Sequence, residues 1–290
     1  MNIEDIEPII RGRMLRIASI KDEDDLDLPD PFAILDRLRA PTAGKIDVLT
    51  FCQRLPDVIP KYDFPLEWEA IAALDYKDHK FWFEKILDDK TRNMIRKAGK
   101  KGVDLKVVDF NDDLVRGIVE IYNETPIRQG RPFKHYGKTF DEAKTANITH
   151  LERSEFVGAF FGAELVGFLK LVYGDRTGRA EQIISKIAHR DKAPTNALLD
   201  EAVKLCEKRG LPYLVYGIWP SKESFAHFKK NNGFRKYCLP RYYVPLTVKG
   251  RIGIKLGLHR ELKQRVPGIV RDKLIALRQN WYDRKHKKVG

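Results

Sequence analysis

No apolar run in this 290-residue chain approaches the roughly 20 residues needed to cross a bilayer, which argues against a membrane-spanning protein. Cysteine is scarce as well. Cys52, Cys206 and Cys238 are odd in number and widely spaced, so neither a disulfide framework nor a metal cluster is expected. Cys206 falls on an apolar helical face and Cys238 in a strand-like run, where both read as small hydrophobes rather than nucleophiles. Met1 to Arg13 alternates acids, bases and isoleucine and lacks the apolar centre of a signal peptide. Internal repeats and low-complexity tracts are also missing. These absences point to a cytoplasmic, metal-free protein.

Hydrophobic residues make up 43% of the chain and aromatics 10%, enough to bury a core and exclude global disorder. The net charge of +13 is unevenly spread: residues 249–290 hold 13 Lys and Arg against 3 Asp and Glu, which leaves about +3 for the rest. The body therefore does not read as a DNA-binding surface.

Residues 1–90 form a small mixed α/β region in this reading. A strand is expected within Met14–Ile20, and Asp30-Pro31 opens a helix to about Arg39. Further strands are expected at Ile46–Cys52 and Trp68–Leu74. One long helix is expected from about Phe81 to Lys100, stopping at Gly102. From Val103 the rhythm sharpens. Val103–Phe110 alternates as a strand, and Asn111-Asp-Asp113 caps a helix with Leu114, Ile118, Ile121 and Tyr122 on one face. After a polar loop, Phe140–Asn147 is a short helix. Phe156–Phe161 and Leu165–Tyr173 are strands joined at Gly162-Ala-Glu164. A strand at Ala180–Ala188, a helix at Asn196–Lys208, a strand at Tyr213–Ile218 and a short helix from Ser221 to Gly233 follow. Phe234–Cys238 and Tyr242–Leu246 read as two last strands.

This order, β-α-α-β-β-β-α-β-α-β-β, makes a mixed, mostly antiparallel, splayed sheet with flanking helices, an α/β (α+β) class. It resembles the GNAT-like acyl-CoA N-acyltransferase fold, nearest its Fem-type peptidyltransferase branch. The likeness is carried by the basic helix Thr91–Val103, the hairpin Phe156–Phe168, the turn and helix Ala193–Gly210, and the ending Phe228-Lys-Lys-Asn-Asn-Gly-Phe234. The division implied is 1–90, an acyltransferase domain at 91–248, and a basic amphipathic helical tail at 249–290.

What the resemblance implies about the site comes next. The family's Arg/Gln-x-x-Gly-x-Gly/Ala turn, whose amides hold the pyrophosphate of acyl-CoA at a helix N-terminus, registers on Arg190-Asp-Lys-Ala-Pro-Thr195. Arg190, Lys192, Ala193, Pro194, Thr195 and Asn196 are thus the expected donor-binding residues. Ala193 and Thr195 stand where glycines are usual, and Pro194 removes an N–H. The same family places a carboxylate base on the preceding strand, near Glu181, with His189 at its far end. It places a tyrosine acid where this chain has Lys229, so Tyr216, Tyr242 or Tyr243 would have to substitute. The loop Thr125–Gly137 lies over the acceptor pocket in such folds, and its Arg128, Gln129, Arg131, His135 and Tyr136 suit a polar amine acceptor.

Beyond Leu258, apolar residues at steps of three and four mark one helical face interrupted by Pro267, with Lys and Arg opposite. Three uses fit: docking on the domain, a membrane surface, or tRNA. The leading expectation is transfer of an acyl group, acetyl first, from acyl-CoA to a small amine or amino sugar. The alternatives are a Fem-type aminoacyltransferase using aminoacyl-tRNA, and an inactive GNAT-like binding module.

Overall fold

The computed structural model describes residues 8–25, 30–39, 46–128, 130–220 and 226–260. The elements in chain order are β1 (Pro8–Arg11), β2 (Ile17–Ile20), α1 (Pro31–Arg39), β3 (Val48–Cys52), β4 (Leu66–Asp75), α2 (His79–Phe81), α3 (Asp89–Lys100), β5 (Val103–Val108), α4 (Asp112–Asn123), β6 (Ile127–Arg128), β7 (Arg131–Pro132), α5 (Phe140–Asn147), β8 (Ser154–Phe161), β9 (Glu164–Tyr173), β10 (Thr177–Ser185), α6 (Pro194–Lys208), β11 (Tyr213–Ile218), α7 (His227–Asn231), β12 (Arg235–Pro245) and α8 (Val248–Lys255). Ten strands form one sheet in the order β1-β2-β3-β12-β4-β11-β10-β9-β8-β5, with β6 and β7 as a separate hairpin. The pairs β2–β3 and β10–β11 are parallel and the others antiparallel.

Helices cover both faces of the β5–β10 half. Val157, Leu169 and Leu171 point toward α3 and α6, packing with Leu198, Ala202 and Cys206. The alternate residues Phe156 and Phe168 pack with Leu114, Ile118 and Ala143 of α4 and α5. Strands buried on both faces read as near-continuous hydrophobic runs, as β9 does in Leu-Val-Gly-Phe-Leu-Lys-Leu-Val-Tyr. The other half has α1 on one face, over Leu49, Phe51, Tyr242 and Val244, and α8 against Val48 on the other. The first ninety residues thus contribute four strands to the common sheet, with β4 paired to both β11 and β12.

Several boundaries differ from the sequence expectation. The long helix expected over Phe81–Lys100 is broken: a π-helical turn at Trp82–Ile86 ends on extended Leu87, and Asp88 starts α3 by accepting from Thr91 N–H at 2.7 Å. The strand expected at Ala180–Ala188 runs earlier, from Thr177 to Ser185, and Ile187–Lys192 is a 3₁₀ helix. The two final strands are one, β12, which passes through Pro240. Proline is tolerated there because β12 changes neighbours: its ladder to β3 begins only at Arg241, and the Pro240 carbonyl accepts from Gln53 N–H at 3.0 Å. The expected Ser221 cap and most of the amphipathic tail lie outside the described residues. Among the described residues, no helix is long and apolar enough to cross a membrane.

Candidate active site

Strands β10 and β11 hydrogen-bond only from Thr177↔Tyr213 to Arg179↔Val215, although β10 continues to Ser185 and β11 to Ile218. Past that point the two run without a ladder, so the sheet opens into a cleft in front of α6. On the β11 side the pairing with β4 is also irregular between Val215 and Ile218. The carbonyls of Tyr216 and Ile218 are taken instead by one ammonium, Lys229 Nζ, at 2.5 and 2.8 Å. Burial pushes the Lys229 pKa down to about 8, and the ammonium lies 4.8 Å from the Tyr216 ring. Tyr216 itself packs on Phe228 and Phe234, and burial raises its pKa.

On the β10 side, Glu181 is the extra residue of a bulge, because the register passes from Ala180↔Leu171 to Gln182↔Lys170. Its carboxylate faces Lys170 Nζ at 2.8 Å and Arg179 at 3.5 Å. Lys170 is fully buried, donates to Thr149 Oγ1 at 2.8 Å, and has its pKa lowered by burial against the pull of Glu181. Beside it, Tyr122 donates to Gln182 Oε1 at 2.6 Å and accepts from Asn147, while Gln182 donates to Asn147 Oδ1 at 3.1 Å.

The turn into α6 is closed on itself. Ala193 is left-handed at φ +56° and Pro194 is the first helical residue. Ala193 N–H donates to the Arg190 carbonyl, and Asn196 and Ala197 N–H donate to the Ala193 carbonyl. Thr195 Oγ1 lies 2.7 Å from Ser185 Oγ. Upstream, Ile187 and Ala188 N–H donate to the Glu124 carboxylate at 2.7 and 2.9 Å. A protein carboxylate thus already occupies two amides upstream of the Arg190–Thr195 turn. Arg190 is exposed, and Lys192 Nζ sits 4.7 Å over the Phe161 ring.

The acceptor loop divides. Arg128 is pulled inward, donating to the carbonyls of Ser185 and Ile121 and pairing with Glu124 at 3.0 Å. His135 is buried and stacked 4.5 Å from Tyr122, and burial, then Lys134, Lys138 and Arg128, push its pKa down to about 4. Arg131 and Tyr136 are exposed, and Gln129 lies outside the described residues. The cleft has Glu181 on one bordering strand and Tyr216 on the other, but Glu181 pairs with Lys170 beside Phe156 on the α4–α5 face, whereas Tyr216 packs with Phe228 and Phe234 in the α6-side core. The cleft does not include Tyr242, which is fully buried in the α1-side core, where its hydroxyl donates to Gln53 Oε1 and accepts from Lys61 N–H at 2.9 Å. Sequence reading registered Lys229 only as a missing tyrosine. Its signal was a lysine set three residues before Asn232, on the apolar side of a short helix next to an open strand.

No family model and no curated protein matches the chain. Solved structures do. One is FemX, at TM-score 0.59 and 11% identity over 87% of this chain and 86% of that one. A second is the L-PGS structure from Bacillus licheniformis, at 0.55 and 12% over 87% and 84%. The C-terminal domain of a protein described as a lysylphosphatidylglycerol synthetase from Agrobacterium fabrum gives 0.56 and 12% over 87% and 84%. The fold is GNAT-like and is shared with these structures. In this GNAT-like frame β10 and β11 are the parting strands, and α6 is the helix that faces them.

Proposed function

We propose that the chain is an acyltransferase that moves an aminoacyl group from the ribose ester of aminoacyl-tRNA to a primary amine. The observation that carries the choice of donor is the state of the α6 turn. Acyl-CoA would need free amides for its pyrophosphate, whereas Glu124 holds those of Ile187 and Ala188, the Arg190 carbonyl holds that of Ala193, and Pro194 has none. The surroundings still favour an anionic carrier: α3 packs beside α6 and the 3₁₀ turn, and its Lys97 and Lys101 are close enough to lower the pKa of Asp191. The likeness to FemX along most of both chains supports the same reading.

In the reaction, the amine nitrogen attacks the ester carbonyl in the cleft, the new C–N bond forms, and the C–O bond to the ribose breaks. The ribose oxygen leaves as a hydroxyl with the proton the amine gives up. Lys229 is placed to steady the developing negative charge and to deliver that proton, since its desolvated ammonium has a pKa of about 8. Glu181, ion-paired to Lys170 and Arg179, orients groups on the opposite strand.

The test is side-by-side incubation with charged tRNA and with acetyl-CoA over one panel of primary amines. Amide product and discharged tRNA are expected from the first, and no thiol release from the second. Thiol release with amide formation from acetyl-CoA alone would replace the donor with acyl-CoA, bound through Arg190 and Lys192. No product from either donor would leave the fold as an inactive binding module.

A further inference from the structure

On the face of β2, β3, β12 and β4 opposite α1, a cavity of about 1110 Å³ opens beside α8, and Leu258 and His259 after that helix help to line it. Its floor is one side of the sheet, where Ser19, Thr50, Tyr243 and Arg241 lie in adjoining strands. Ile218 belongs to its wall, and the Ile218 carbonyl is one of the two that hold Lys229, so the cavity adjoins the open end of the cleft.

Two features set the chemistry of what fits. Of the carboxylates in its lining, Asp22 pairs with Arg153, Asp24 with Arg54, and Glu67 with His259 and Arg260, which leaves Glu23 and Glu69 to share Arg241. Arg241 bridges the carboxylates at the centre, reaching Glu23 Oε1 and Glu69 Oε2 at 2.7 Å each. The other oxygen, Glu23 Oε2, is buried without a hydrogen-bond partner among the described residues, as are Thr50 Oγ1 and His259 Nδ1. Thr50 is 8% exposed and the His259 side chain 4%, so water does not compensate them freely. Burial pushes the Glu23 pKa up despite Arg241, so its carboxylate is incompletely compensated. A cation removes that imbalance and an anion worsens it. The second feature is apolar: Met14 and Ile218 in its lining are 81 and 70% exposed, room for an aliphatic contact.

We propose that this cavity seats a second, non-reacting ammonium of the amine acceptor, with Glu23 as its counter-ion and its aliphatic stem along Met14 and Ile218 toward the cleft. The proposal rests on the transferase reading for the identity of the ligand as substrate, but the binding itself is measured without turnover.

Isothermal titration calorimetry on the full chain, with cadaverine as probe and pentan-1-ol as its uncharged counterpart, tests it. Saturable cadaverine binding is expected, with none for the alcohol. Glu23→Gln should weaken it at least tenfold. Met14→Ala, a change at an exposed side chain that leaves the core intact, should weaken it several-fold. Absence of cadaverine binding to the parent chain overturns the proposal, as does binding that both variants leave unchanged. If charged tRNA yields no product yet cadaverine binding depends on Glu23, the amine site stands and only the transfer reaction is lost. If transfer proceeds but Glu23→Gln changes neither binding nor the amine KM, the transfer stands and this site falls.

Discussion

Lys229 is held at the cleft by two carbonyls that a strand irregularity left without ladder partners, and that placement sets its behaviour. An amine so desolvated must be protonated to act as acid, so activity should fall as pH rises through about 8. Lys229→Met should lower kcat by a hundredfold or more, on the scale general acid catalysis contributes. Lys229→Arg should retain part of it and abolish the alkaline limb, which a pH profile of kcat would reveal. A second residue is decisive for stability. Asp25 is 1% exposed at its side chain and takes Arg179 at 2.5 and 2.8 Å and Arg153 at 3.0 Å. Burial works against its ionisation, but the two guanidinium groups hold its carboxyl below the ordinary range. A carboxyl whose folded pKa is depressed stabilises the fold above its unfolded value and ceases to do so as pH falls through the folded one. Asp25→Asn should therefore cost about 3–5 kcal/mol at neutral pH and flatten the acid side of the stability curve, read by denaturant titration. Neither residue was singled out from sequence: Asp25 stands in an acidic run that reads as solvated, and Lys229 drew notice as a departure from pattern.

Among the elements, those with strong local signals were legible. α5 keeps its expected bounds because Thr139 and Glu142 form a reciprocal capping box, and β11 keeps its own as a short apolar run behind a glycine turn. The break before α3 was hidden because Trp82–Leu87 continues the helical apolar pattern, and Asp88 reveals itself as a cap only once the chain bends. β12 was split on paper because Pro240 is an ordinary strand breaker; that its missing donor falls where β3 has ended is a fact of topology. The sequence expectation puts the donor turn at Arg190–Thr195; the Glu124 carboxylate on the amides upstream of it comes from 63 residues away and had no local trace. One close contact makes a sharp prediction. A Cβ at Gly178 would lie 2.2 Å from Cys206 Sγ, so β10 and α6 meet at van der Waals limit there. Gly178→Ala should destabilise by about 1–3 kcal/mol. Adding Cys206→Ala should cost less than the two changes summed, a coupling that thermal melts of the four variants would measure.

At the scale of the whole molecule, charge is the variable. If the carrier is tRNA, binding must release counterions, and affinity for charged tRNA should fall steeply between 50 and 200 mM salt. Replacing Lys97 and Lys101 with alanine should weaken binding and reduce the slope by about two phosphate contacts in a filter-binding titration. Residues 261–290, with their basic surplus, offer a further contact, to tRNA or to an anionic membrane, and deleting them separates the two in flotation and tRNA assays. The sheet order carries another implication. β12, made of residues 235–245, lies between β3 and β4, so the two early strands are never each other's neighbours. A ribosome emitting this chain would expose β3 and β4 with a vacant slot between them until nearly all of it had emerged. The half bearing the amine cavity must then close last, and nascent chains stalled before residue 235 should be cut by protease within 46–75 yet resist it within 154–208.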